Sequence, residues 1–333
     1  MADTPGSAED ELIARYFRPL AKHPGTFGFK DDAAAITPPP GHDLVLKTDG
    51  LIEGVHFFSD DPADSVARKA LRVNLSDLAA KGATPLGFLL AIALRKGFSE
   101  HWLADFARGL GEDADAYQCP LLGGDTDSTP GPISISISAF GTLPTGTMVR
   151  RHGANPNDHV FVSGTIGDAA LGLHVRRDAS TPAKWGLDDA MRNHLVSRYR
   201  LPQPRNALAV AVRAHASAAM DVSDGLAADL AKLCRVSGVS ADIDAARVPL
   251  SPAAAQALVA DDSLIAAILT GGEDYEILCA VAPGSVAAFE AAAAKAGVPV
   301  TSIARIVAGD APPRFLDREG RSLAFARPGY SHF

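Results

Sequence analysis

Leu86–Leu94 (LGFLLAIAL) is a continuous apolar run of strand length, flanked by stretches whose apolar residues recur at helical spacing. Upstream, Val66, Leu71, Leu75 and Leu78 follow Pro62, a residue suited to a first helical turn, and Gly82 ends the pattern. Downstream, Ser99 to Tyr117 reads as a helix and Pro120 to Leu122 as a short strand. Ile133, Ile135, Ile137 and Ala139 then alternate with serines, as a half-exposed strand does. Strands interleaved with helices predict an α/β (α+β) class, with mixed sheets flanked by helices.

The remaining elements extend this alternation. Ser7 with Asp10 resembles a capping box, and Leu12, Ile13, Tyr16, Phe17 and Leu20 follow it at helical spacing. Leu44 to Thr48 reads as a short strand ending at Asp49, followed by a loop from Gly50 to Asp61. Arg150 to Asp158 (RRHGANPND) has the composition of a connection, and Val160 to Ser163 starts a new strand behind it. Helices are expected from Asp168, Arg205 and Leu226 and over Ser285 to Ala296, with strands near Met220 and over Tyr275 to Ala282. The Ala-rich pieces around Ala253–Ala257 and Ala291–Ala294 read as helix surface. At 333 residues and 47% apolar, the chain is too long for one ordinary core, so the connection predicts domains 1–149 and 150–333.

Charge and pattern also exclude partners. A formal charge of −8 with no Lys/Arg block opposes nucleic-acid binding. No apolar run approaches the roughly 20 residues that cross a bilayer. Met1 to Asp10 is polar and acidic rather than a secretory signal, so a cytoplasmic location is expected. Cys119, Cys234 and Cys279 are far apart, lack the paired spacing of zinc or redox sites, and are expected as buried free thiols.

Chemistry is concentrated in acidic clusters: Asp31-Asp32, Asp49 with Glu53, Asp125 and Asp127 within GGDTD, and Asp221 and Asp224 within DVSDG. Most follow a strand-like run or precede a helix, where loops at sheet ends collect ligands. Asp77 lies inside the helical pattern on the face of Asn74, where a capping role cannot explain it. Carboxylates gathered in one site repel by about 4 kcal/mol per pair at 4 Å and an effective dielectric near 20. Divalent cations remove that cost, and oxygen-only ligands favour Mg²⁺, Mn²⁺ or Ca²⁺. Mg²⁺ usually bridges carboxylates and phosphates, so the set suggests phosphoryl transfer, without a P-loop or a protein-kinase signature. Gly164–Ala169 could aim backbone N–H groups at an anion, and Gly271-Gly272 leaves Glu273 on a loop. His56 can change charge near neutral pH.

Seven segments, in order over nearly the whole chain, resemble the motifs of thiamine-monophosphate kinases. They are DDAA (Asp31–Ala34), TDGLIEGVHF (Thr48–Phe57), VNLSDLAA (Val73–Ala80), LGGDT (Leu122–Thr126), MDVSDGL (Met220–Leu226), GGEDYE (Gly271–Glu276) and the terminal GYSHF (Gly329–Phe333). The resemblance implies the two-domain fold of the aminoimidazole-ribonucleotide-synthetase-like superfamily, whose members usually form homodimers through their N-terminal halves. It implies several Mg²⁺ ions at positions matching Asp32, Thr48, Asp49, Asp77, Asp125, Asp221 and Asp224, and ATP at Gly124, Asp125, Arg151 and Ser223. Thiamine monophosphate would meet His56, Glu273 and Tyr330, with Asp77, Asp125 and Arg151 serving the chemistry. The N-terminal domain would bind ATP and metal and dimerise, and the C-terminal domain would complete the nucleotide and substrate site. Two residues depart from the motifs: Lys30 stands where glycine is usual and Lys47 where a small polar residue is usual. A lysine near the phosphates could replace one metal's charge, or point into water. The alternatives are another ATP-using member of the superfamily and a non-catalytic Mg-ATP sensor.

Overall fold

The computed structural model describes residues 7–327, 329 and 330. It divides into two compact units, one formed by the residues up to Leu78 with Thr84–Gly146, the other by Ala79–Ala83 and the residues from Thr147 onward.

The first unit is built on a four-stranded sheet of β1 (His42–Ile52), β2 (Thr84–Arg95), β3 (Leu121–Thr129) and β4 (Ser134–Pro144), in the order β1-β4-β2-β3. β4 pairs antiparallel with both β1 and β2, and β3 runs parallel to β2. Alternation gives the sheet two unlike faces. Phe88, Leu90, Ile92 and Leu94 of β2 and Ile135, Ile137 and Ala139 of β4 are buried, whereas Leu44 and Leu46 of β1 and Leu89 of β2 are exposed on the other side. Three helices accompany the sheet: α1 (Ala8–Leu12), α2 (Ala63–Ala80) and α3 (Glu100–Ala116). α2 buries Val66, Leu71, Leu75 and Leu78, and α3 buries Leu103, Phe106 and Leu110, each contributing about 1.5–3 kcal/mol. The two helices abut at Gly109, where an added Cβ would lie 2.6 Å from Asp64 O. Asp113 of α3 locks them further, accepting from Arg68 Nη1 at 2.7 Å and Arg72 Nη2 at 3.0 Å. Ser7 caps α1 in the expected capping box with Asp10.

Two strands differ from expectation. β1 continues to Ile52 and β3 to Thr129, so Asp49, Asp125 and Asp127 lie on strands rather than in loops beyond them. Both are the edge strands of the sheet, where an exposed polar side chain costs little, so a polar stretch need not end a strand there.

The second unit has a six-stranded sheet, in the order β10-β7-β9-β5-β8-β6. Its strands are β5 (His159–Ser163), β6 (Ala216–Asp221), β7 (Val239–Asp244), β8 (Ile277–Val281), β9 (Val300–Ala308) and β10 (Arg314–Leu316). All pairings are antiparallel except β7 with β10. The helices are α4 (Asp168–Arg177), the short α5 (Thr181–Lys184), α6 (Asp189–Arg200), α7 (Ala209–His215) and α8 (Leu226–Ser237). They are followed by α9 (Pro252–Ala260), α10 (Leu264–Thr270) and α11 (Val286–Lys295). One core gathers Val160, Val162, Leu171, Leu195, Met220, Leu230 and Ile268, among others. A second gathers Phe161, Leu208, Val212, Cys279 and Phe289.

The Ala-rich helices are surface on one face only: Ala253, Ala254 and Ala257 of α9 and Ala293 of α11 are buried, whereas Ala255, Ala291 and Ala294 are exposed. Alanine permits close approach, so its pattern does not separate a tightly packed face from a solvated one. β8 begins at Ile277 rather than Tyr275, because Glu273 and Tyr275 take positive φ values of 79° and 51°, which no strand accommodates. All three cysteines are free and buried, and burial pushes their thiols up to about 12. Among the described residues no helix is long and apolar enough to cross a membrane.

Candidate active site

Strand periodicity decides which acidic residues of the first unit meet. Val45, Lys47, Asp49 and Leu51 share one face of β1, and Val45 and Leu51 are buried on the core side. Asp77 of α2 reaches the same place, with Lys47 Nζ 2.7 Å from Asp77 Oδ2 and 3.2 Å from Asp49 Oδ1. Burial alone would pull the Lys47 ammonium down, but the carboxylates of Asp77 and Asp49 outweigh it and hold it above the ordinary lysine value. Thr48, one residue on, faces the opposite side, where its Oγ1 donates to Ile137 O at 3.1 Å and accepts from Ser138 Oγ at 3.1 Å. Lys30 is exposed and forms no ion pair among the described residues.

A second group lines a cavity of about 780 Å³: Asp31, Asp32, Gly123, Gly124, Asp125 and Thr126, with an apolar wall that includes Phe17, Leu89 and Phe140. Ala35 N donates to Gly25 O at 2.9 Å, closing the loop that carries Asp31 and Asp32. Gly124 is required by geometry, since a Cβ there would fall 1.8 Å from Leu90 O of the neighbouring strand. The carboxylates are hard oxygen donors that suit Mg²⁺. Among the described residues no three His, Cys, Asp or Glu side chains are gathered tightly enough to hold a metal ion, so ligand phosphates would have to complete a coordination shell.

His56 sits just past β1, where Ile52 N donates to its Nδ1 at 3.0 Å, which leaves the ring proton on Nε2. Glu53 is structural: it pairs with Arg95 Nη1 at 3.0 Å and accepts from Ile133 N at 3.1 Å.

In the second unit, three motifs distant in sequence are laced by backbone hydrogen bonds. Val222 N donates to Glu276 O at 2.8 Å, Tyr275 N to Val222 O at 2.8 Å, Glu273 N to Ser223 O at 2.9 Å, and Tyr330 N to Asp224 O at 3.0 Å. Ser223, Asp224, Glu273 and Tyr330 are therefore neighbours, with Asp221 at the end of β6. A Cβ on Gly272 would meet Ser223 O at 2.4 Å, which explains the glycine before Glu273. Lys232 of α8 pairs with Asp224, and with Asp229 Oδ1 at 2.8 Å. Arg151 is exposed, on a connection tied to β6 by the Ala219 N to Arg150 O bond of 2.9 Å. Ser331–Phe333 of the terminal motif lie outside the described residues.

The Gly164–Ala169 segment is not an open anion site. Its N–H groups are already taken by a carboxyl group from within the chain: Gly167 N donates to Asp274 Oδ2 at 2.7 Å and Ala169 N to Asp274 Oδ1 at 3.3 Å. Burial pushes the Asp274 carboxyl up to about 8, against those hydrogen bonds. Glu276, likewise fully buried, is clamped by Arg198 (2.9 Å), Arg205 (Nε, 2.6 Å) and Ser163 Oγ (2.6 Å). These structural roles escaped the sequence reading. The available signal was position: both acids lie within three residues of the start of β8, whose five residues are all buried. The cavity-lining Phe17 and Phe140 were also missed, since a wall residue and a core residue look alike in a hydrophobic pattern.

Comparison with known proteins agrees with this layout. The AIR synthase related protein N-terminal domain matches residues 30–143 and the corresponding C-terminal domain matches 155–314. The thiamine-monophosphate kinase of Caulobacter vibrioides is 42% identical over 328 residues, covering 97% of this chain and 90% of its own length. The crystal structure of thiamine-monophosphate kinase from Stenotrophomonas maltophilia K279a superposes with a TM-score of 0.81 at 36% identity, covering 94% of this chain and 96% of that one. AaThiL complexed with AMPPCP and TMP gives 0.75 at 29% identity, with 91% of each chain covered.

Proposed function

The chain belongs to the thiamine-monophosphate kinase family of AIR synthase related proteins, and from that premise we propose that it transfers the γ-phosphoryl group of ATP to thiamine monophosphate, giving thiamine diphosphate and ADP. Sequence identity to these kinases along nearly the whole chain carries the reading. The cavity of the first unit supports it, because an apolar wall beside Asp31, Asp32 and Asp125 suits a ligand with a flat ring at one end and cation-bridged phosphates at the other.

The transfer is direct and in line. The acceptor is a phosphate monoester with a second pKa of about 6, so its attacking oxygen is ionised at neutral pH and no side chain need act as a base. The protein's work is positioning and charge neutralisation. Asp32, Asp125, Asp221 and Asp224, with Thr48, are the residues that would hold Mg²⁺, and Asp49 and Asp77 are cation-binding positions whose cation in this chain is the Lys47 ammonium. Bound there, the ions would offset phosphate charge. Gly124 and Ser223 contact the nucleotide, and Arg151 supplies a guanidinium to a phosphate. His56, Glu273 and Tyr330 contact the acceptor, and the Glu273 carboxylate and Tyr330 ring suit the cationic thiazolium.

The exposed apolar face of the first sheet, with Leu46 at 65% exposure, supports a homodimer formed through this unit, which light scattering would register as twice the 34.6 kDa chain mass. The activity is tested by ADP release from ATP with thiamine monophosphate or thiamine as acceptor. Release with the monophosphate alone is expected. Equal release with both acceptors, or with neither, would sink the reading.

A further inference from the structure

We propose that Lys47 is a built-in counter-cation that occupies the place of one divalent ion between Asp49 and Asp77. The inference rests on the reading of these aspartates as cation-binding positions.

Lys47 and Asp49 are two apart on β1 and therefore project to the same side, the side on which α2 presents Asp77. The ammonium is within hydrogen-bond distance of both carboxylates, at 2.7 Å and 3.2 Å. A metal ion bridging the same two oxygens would have to stand where the nitrogen stands, and two cations cannot share that space. An ammonium also makes three N–H bonds, and two are committed here. The third is available to a phosphate oxygen, which a lysine serves as a point charge.

The substitution changes the local charge. Two carboxylates and one ammonium sum to −1, whereas the same carboxylates with a divalent ion sum to zero. The chain would thus need one fewer divalent ion to assemble its site, at the expense of leaving that corner more negative. Lys30, the other departure from the family motifs, does not share the role, because it pairs with no carboxylate among the described residues. Lys232 does touch two carboxylates, but one of them, Asp229, is wholly buried one helical turn away, so that lysine serves the interior of its own unit.

The test counts bound Mn²⁺ on the full chain with a non-hydrolysable ATP analogue, from the loss of the free-ion electron paramagnetic resonance signal. Lys47→Ser is expected to bind one more Mn²⁺ per chain than the wild type, and its melting temperature is expected to rise more on Mn²⁺ addition. Asp49→Asn in the wild-type background is expected to leave the count unchanged, because in that background the pair holds a lysine. An equal count in Lys47→Ser and wild type, or loss of one ion in Asp49→Asn, would overturn the proposal. If Lys47→Ser does not fold, the Asp49→Asn count decides alone. Failure of the underlying metal reading looks different: no chain, wild type or variant, would bind Mn²⁺ beyond what the nucleotide itself carries.

Discussion

The acids that line the first unit's site and the acids buried in the second unit are used in opposite ways, and the first unit's own buried Asp113 belongs with the second kind. In the first, Asp31, Asp32 and Asp125 are exposed along a cavity, and Asp49 and Asp77 share one partly exposed lysine. In the second, Asp168, Asp229, Asp274 and Glu276 have no exposed surface, and each is engaged by donors of its own unit. GGDTD and GGEDYE look alike as strings, yet Asp125 of one faces solvent while Asp274 and Glu276 of the other are interior anchors. A buried carboxylate must be matched by donors at the moment of folding, so it is consumed by structure. An exposed one is left for a ligand.

Replacing an anchor should therefore cost stability, and replacing an exposed carboxylate should cost activity. The largest effect is expected for Glu276→Gln, which leaves Arg198 and Arg205 facing a neutral amide in a buried site. Breaking a buried pair in this way costs about 3–5 kcal/mol, readable in urea denaturation. A loss under 1 kcal/mol would break the comparison on the side of the second unit. Next, Asp125→Asn should lower kcat by roughly 100-fold or more, the scale of losing one electrostatic partner of a transition state, with the melting temperature within about 2 °C of wild type. Full activity at saturating Mg²⁺ would remove Asp125 from the site.

The contrast extends to pH. Asp274 is held protonated in the folded chain up to about pH 8, against an ordinary value of 3.8. Between those values the unfolded chain binds fewer protons than the folded one, so this group makes stability fall as pH rises, by at most about 1.4 kcal/mol per pH unit. Asp274→Asn should flatten the stability profile between pH 5 and 8, measured as denaturation midpoints at each pH. Lys47 behaves otherwise: its folded value is raised, so its stabilisation is complete below the ordinary lysine range and is lost only above it. A slope that persists in Asp274→Asn would assign it to another buried group.

These differences mark where sequence was legible. Periodicity located α2, α3 and β4 because their apolar residues face one core each, and unbroken apolar runs marked β2 and β5. It shortened β1 and β3, because an edge strand tolerates the polar residues that elsewhere signal a turn. It singled out Asp77 as a cation-binding position, since capping cannot explain an Asp inside an apolar helical pattern, and the cation beside it in the structure is Lys47. It could not separate Asp125 from Asp274, because burial is decided by strands brought together across more than a hundred residues. The capture of the α4 N-terminus by Asp274 is such a case: Gly167 and Asp274 are 107 residues apart.

The smallest expected effect probes the same rule with a side chain that carries no charge. Ser7 and Ser251 both cap helices, Ser7 accepting from Asp10 N at 3.1 Å and Ser251 from Ala254 N at 3.0 Å. As isolated caps they are equivalent. Their surroundings are not: Ser7 is exposed, whereas Ser251 is buried and its hydroxyl donates to Asp168, a carboxylate that also accepts from Thr165 Oγ1 at 2.6 Å. Ser7→Ala returns the freed N–H to water, whereas Ser251→Ala leaves a buried carboxylate one donor short. Ser251→Ala should thus cost about 1 kcal/mol and Ser7→Ala about half as much, compared by urea midpoints at one pH. Equal costs would mean that the cap alone matters, and that burial in the second unit does not raise the cost of removing a hydrogen-bond donor.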